Sequence, residues 1–92
     1  MEFEWDPEKA VGNHAKHGID FIEASTIFGD PLELTLTDPD HSGDEFRFLS
    51  LGSSSGGRLL VVSYTERGTR IRIISAREAT PRERRQYEST NA

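Results

Sequence analysis

Apolar and polar positions change period several times along the chain, and each change marks an element. Phe3-Glu4-Trp5 alternates and reads as a short first strand. Asp6-Pro7-Glu8 then carries helix-start chemistry, because Asp6 can accept an orphan backbone N–H and proline suits the first helical position. This helix is expected to run to about His17 and stop at Gly18. A second start lies at Asp20, with Glu23 three residues on as a capping-box partner. Phe21, Ala24, Ile27 and Phe28 fall on one helical face, and Gly29 and Pro31 end it.

Beyond Pro31 the period falls to two. Leu32, Leu34 and Leu36 alternate with Glu33 and Thr35, and after the turn-forming run Asp38 to Gly43, Phe46 and Phe48 alternate with Arg47 in a next strand. Ser53-Ser54-Ser55-Gly56-Gly57 reads as a hairpin loop. Leu59 to Tyr64 is apolar at nearly every position, as a strand covered on both sides requires, and Glu66-Arg67-Gly68-Thr69 reverses the chain into Arg70 to Arg77. Thr80-Pro81-Arg82-Glu83 opens a last helix with cap, proline and capping box. The expected fold class is therefore α+β: a short N-terminal strand, two helices, an antiparallel four-stranded meander sheet and a C-terminal helix, with the helices largely on one face. At 92 residues a single domain spanning 1–92 is expected.

Composition narrows the chemistry. With no cysteine there is no disulfide, thiolate metal site or cysteine nucleophile. The longest apolar run, Leu59 to Val62, is far too short for a membrane span, and the acidic N-terminus does not resemble an export signal. A soluble, cytoplasmic protein without membrane contact is expected. The net charge of −5 argues against a generic nucleic-acid binder, but it hides a polarity. Residues 1–57 hold twelve acids against three bases, whereas residues 58–92 hold eight arginines against four glutamates. Arginine is the side chain that grips phosphate in a flat, forked geometry.

Several candidate groups follow, each with a plainer alternative. Glu45 and Arg47 share a strand face by period two, as base and phosphate clamp or as an ion pair on a wet sheet. In Thr69 to Arg77 the alternation places Arg77 on the face of Ile71 and Ile73, opposite Arg70 and Arg72, so Arg77 either caps the sheet end or reaches into a cleft. Arg67 sits in the exposed turn before it. His14, Lys16 and His17 crowd the end of the first helix, where positive charge complements the helix dipole, or where Lys16 or His17 serves as phosphate ligand or proton donor. A metal site from His14, His17 and His41 lacks a placed carboxylate, and no cofactor is expected. No phosphate-binding loop, nucleophile elbow or dinucleotide fingerprint is present. A substrate that brings its own nucleophile fits this inventory best. RNA does so through its 2′-hydroxyl.

The segments FEWDPEKAVGNHAKHGIDFIEASTIFGDP, then His41, Glu45 and Arg47, then LLVVSYTERGTRIRIISAREATPRERRQY, resemble the BrnT family of bacterial type II toxins from Phe3 to about Tyr87. The resemblance implies a RelE-like fold and an endoribonuclease that cleaves RNA without metal and halts translation. It also implies a BrnA-like antitoxin partner with a ribbon-helix-helix DNA-binding part, forming a hetero-oligomer that reaches operator DNA only through the antitoxin. Carried over residue by residue, it makes Arg47, Arg67 and Arg77 phosphate and transition-state ligands and Glu45 the general base or the group that orients one. Lys16 and His17 become secondary candidates for RNA contact or proton transfer, and Arg70 and Arg72 serve RNA or partner binding. The acidic balance is a departure, since such toxins are often basic. Two other classes stand beside this reading: a non-catalytic module that binds an antitoxin-like protein and modulates its DNA occupancy, and a small metal-dependent hydrolase requiring the histidines to converge.

Overall fold

The computed structural model describes residues 1–36 and 46–91. In chain order it contains β1 (Glu2–Trp5), α1 (Pro7–His17), α2 (Phe21–Ser25), a 3-10 turn (Thr26–Gly29), β2 (Leu34–Leu36), β3 (Phe48–Ser53), β4 (Leu59–Arg67), β5 (Arg70–Glu78) and α3 (Pro81–Thr90). The helix ends follow their signals. Asp6 accepts from the Glu8 N–H at 2.9 Å, and Gly18 closes α1 in the left-handed region at φ 70°. Glu23 departs from expectation: Asp20 caps α2, but the Glu23 carboxylate turns to Arg58 and Ser54 instead of closing a capping box. The helix is also shorter, passing into the 3-10 turn after Ser25. There the Ser25 and Thr26 hydroxyls donate to the Ile22 and Glu23 carbonyls at 2.7 and 2.6 Å, a local competition that loosens α-helical geometry.

The sheet corrects the expected four-stranded antiparallel arrangement. It has five strands in the order β1-β5-β4-β3-β2 and is mixed, because β1 pairs parallel with β5 while β2, β3, β4 and β5 pair antiparallel with one another. The N-terminal strand joins because Glu2 and Glu4 lie in register with Arg70 and Arg72, so opposite charges meet along the edge. The strand expected around Phe46 begins only at Phe48, leaving Phe46 and Arg47 ahead of it.

The helices do not share one face. On one side of the sheet, Ile19, Phe21, Ala24 and Ile27 pack on Leu60, Val62, Tyr64, Ile71, Ile73 and Ala76. Leu51, Leu59 and Val61 form a second apolar patch on the other side, with Leu34, Leu36 and Leu49 beside them. Burying both faces of β4 requires a cover on each, and Ala79, in the link between β5 and α3, and Tyr87 of α3 supply the second. Tyr87 is fastened there by donating its hydroxyl to Asp30 at 2.6 Å, which pushes its own pKa up to about 12.

One irregularity changes the reading of β5. Ser63 pairs with Ser75 but Tyr64 pairs with Ile73, so Ile74 is an extra residue in the ladder. This bulge shifts the side-chain phase by one. Ala76 therefore joins Ile71 and Ile73 in the core beneath α1 and α2, and Arg77, opposite Val61, emerges on the other face. Asn13 of α1 clamps the position: its Nδ2 donates to the Ala76 and Ile19 carbonyls at 2.9 and 3.0 Å, and its Oδ1 accepts from the Ala76 N–H at 3.0 Å.

Candidate functional site

The same phase shift assembles the site. The regular alternation expected for β5 puts Arg77 opposite Arg70 and Arg72; with Ile74 inserted, all three share the face turned away from α1 and α2. Arg67, paired with Arg70 at the β4 end of the hairpin, lies on that face too. The result is a stripe of four arginines. Its length matters, because six strand steps separate the Arg70 and Arg77 levels, roughly 20 Å at about 3.3 Å per residue. Arg67 and Arg77 therefore mark the two ends of a track and do not close on a single point.

The stripe is electrostatically balanced by carboxylates from other elements. Arg72 Nη1 donates to Glu4 Oε2 at 2.8 Å, and Arg70 Nε donates to Glu2 Oε2 at 3.2 Å. Arg77 makes a forked pair with Glu83 of α3, Nη1 to Oε1 at 2.7 Å and Nη2 to Oε2 at 2.9 Å. The Arg77 guanidinium, helped by the Thr80 N–H, overrides the opposing effect of burial and holds the Glu83 carboxyl at about 2. A group that acidic is a poor proton acceptor at neutral pH.

The other predicted residues divide. Arg47 is exposed and stands one residue ahead of β3, the strand next to β4. Glu45 and His41 lie outside the described residues. Lys16 and His17 are exposed in the last turn of α1, on the other side of the sheet. Their neighbour Gly18 accepts from Arg58 Nη2, next to the first residue of β4, whereas Arg67 ends that strand. About 26 Å of strand separates the two levels. The structure thus groups Arg67, Arg70, Arg72 and Arg77 and sets Lys16 and His17 apart from them. Among the described residues, no group of three or more His, Cys, Asp or Glu side chains is placed to hold a metal ion.

Sequence reasoning missed the acidic partners. Glu2 and Glu4 at period two, against Arg70 and Arg72 at the same period, was a readable sign of strand pairing. Glu83 offered no comparable sign, since its cap role in α3 accounted for it already.

A sequence model described as the ribonuclease toxin BrnT of type II toxin–antitoxin systems matches residues 5–83. The chain belongs to the BrnT ribonuclease toxin family. Among solved structures, it is similar to the Brucella abortus ribonuclease toxin BrnT, determined at 1.1 Å. The TM-score is 0.67 at 25% identity, and the match covers 87% of this chain and 97% of the Brucella chain. No curated protein matches. The BrnT match includes all four stripe arginines, Arg47, Glu83, Lys16 and His17. Also, among the described residues, no helix is long and apolar enough to cross a membrane.

Proposed function

We propose that this BrnT-family chain is the toxin of a type II pair, an endoribonuclease that cleaves RNA without a metal ion and thereby inhibits translation in the cytoplasm. The observation that supports it is the arginine stripe, which offers forked phosphate ligands along one sheet face. In the reaction the RNA 2′-oxygen bonds to phosphorus, its proton passes to a base, and the 5′-oxygen leaves and takes up a proton. The products are a 2′,3′-cyclic phosphate and a 5′-hydroxyl end. Arg47 and Arg67 hold the reacting phosphate and the charge that gathers on it, with Glu45, two residues from Arg47, as base or as the group that orients one. Arg77, at the far end, holds a flanking phosphate. Arg70 and Arg72 extend the track between them, and Lys16 and His17 meet RNA only where it passes around the sheet. A BrnA-like ribbon-helix-helix antitoxin is the partner, in a hetero-oligomer that reaches operator DNA through the antitoxin alone.

One observation favours a second reading. Arg70, Arg72 and Arg77 already hold carboxylates, as they would in a non-catalytic module that binds an antitoxin and tunes its operator occupancy. A single experiment separates the two. Purified chain incubated with single-stranded RNA in EDTA is expected to yield fragments ending in 2′,3′-cyclic phosphate, and expression alone is expected to arrest growth. Cleavage abolished by chelation overturns the metal-free mechanism. Tight partner binding and an operator shift with no RNA turnover support the module instead.

A further inference from the structure

The middle of the arginine face holds a hydroxyl with nothing to bond. Thr65 of β4 is 2% exposed, and its Oγ1 is buried without a hydrogen-bond partner. Register sets it opposite Arg72, and alternation sets Ser63 and Arg67 beside it on the same strand face. A buried hydroxyl left unpaired costs stability, and a valine of the same shape at this strand position would remove that cost. The chemistry of its neighbours indicates what the hydroxyl lacks. Guanidinium groups only donate hydrogen bonds, and the ligand they attract is an anion rich in acceptors. A threonine between them can add one more donor to the same anion.

We propose that Thr65 is a substrate contact whose Oγ1 donates to a non-bridging phosphate oxygen of RNA held between Arg67 and Arg72. The Arg72 guanidinium, now held on the β1 side by Glu4, exchanges that carboxylate for the phosphate and so brings the anion toward β4 and Thr65. The proposal rests on the RNA reading above. It adds a contact that is not charged and whose loss leaves the electrostatics of the stripe unchanged.

The test measures binding and folding together. The probe is a single-stranded 2′-O-methyl RNA, which keeps the phosphates but cannot be cleaved, followed by fluorescence anisotropy. Thr65→Val is expected to melt at or above the wild-type temperature yet to bind the probe about tenfold more weakly, the scale of one hydrogen bond to a charged group. Thr65→Ser, which restores the hydroxyl, is expected to recover most of that loss. If the valine variant does not fold, Thr65→Ala takes its place in the comparison with serine. Equal affinity in wild type and the hydroxyl-free variant overturns the contact while leaving the RNA reading intact. A wild-type chain that binds no RNA at all overturns both.

Discussion

Arg77 carries a structural contact and a proposed functional one through the same guanidinium, and its partner separates the two. Glu83 is held at about 2, against an ordinary value of 4.5, chiefly by its hydrogen bonds with Arg77 and in spite of burial. Because the folded-state value lies below the unfolded one, the stabilisation is complete above about pH 4.5 and is lost as pH falls toward 2. After screening at the half-exposed guanidinium, it amounts to about 1–2 kcal/mol. Arg77→Ala is expected to lose that much in urea unfolding at pH 7, and its stability should fall less steeply than the wild type's between pH 5 and 2. Glu83→Gln is expected to weaken the fold similarly while keeping the cation. If Arg77 touches RNA, only the alanine variant loses RNA affinity. Equal RNA binding in Arg77→Ala and wild type would reduce Arg77 to a strut between β5 and α3.

The decisive element is β5, whose bulge moves a cation from one side of the sheet to the other. Asn13 holds that bulge with three hydrogen bonds to backbone groups, two of them on Ala76. Asn13→Ala leaves those groups unsatisfied beneath α1 and is expected to cost about 2–3 kcal/mol, read from the urea midpoint with an unchanged slope. A loss under about 0.5 kcal/mol would mean that water replaces the amide. The legibility of the fold divides at the same place. Helix starts at Asp6, Asp20 and Thr80 and the turns at Gly57 and Gly68 were readable, because caps and positive φ are local demands met by local residues. The parallel docking of β1 and the placement of α3 depend on partners about seventy and sixty residues away, which no short window contains. The bulge left one trace, the doubled Ile73-Ile74 where alternation slips, but strict period two carried Arg77 onto the wrong face. For the candidate site, residue type was legible and convergence was not. Arginine content pointed to phosphate, yet only the fold shows arginines spread over about 20 Å in place of one clamp.

At the scale of the whole molecule, the acidic first part and the arginine-rich second part are not two separate surfaces. Glu2, Glu4 and Glu23 from the first reach Arg70, Arg72 and Arg58 from the second, so the polarity along the chain is largely cancelled where the parts meet. With a net charge of −5, long-range attraction of RNA is weak, and in the function proposed above binding comes from local exchange of a carboxylate for a phosphate. That exchange can be measured. Replacing Glu2 and Glu4 together by glutamine leaves Arg70 and Arg72 in place but removes their intramolecular competitors. The Arg70–Glu2 pair is exposed and the Arg72–Glu4 pair half-buried, so the fold should lose about 1 kcal/mol. RNA affinity at low salt is then expected to rise about two- to tenfold, the scale of two ion pairs no longer broken on binding. The same phosphates are neutralised in both proteins, so the slope of log affinity against log salt, about 0.7 per phosphate for a single strand, is expected to stay nearly the same. A double variant with the same affinity as wild type would show that RNA does not follow the stripe through Arg70 and Arg72. The track would then reduce to its Arg67 end, and the two pairs along β1 would serve the sheet edge alone.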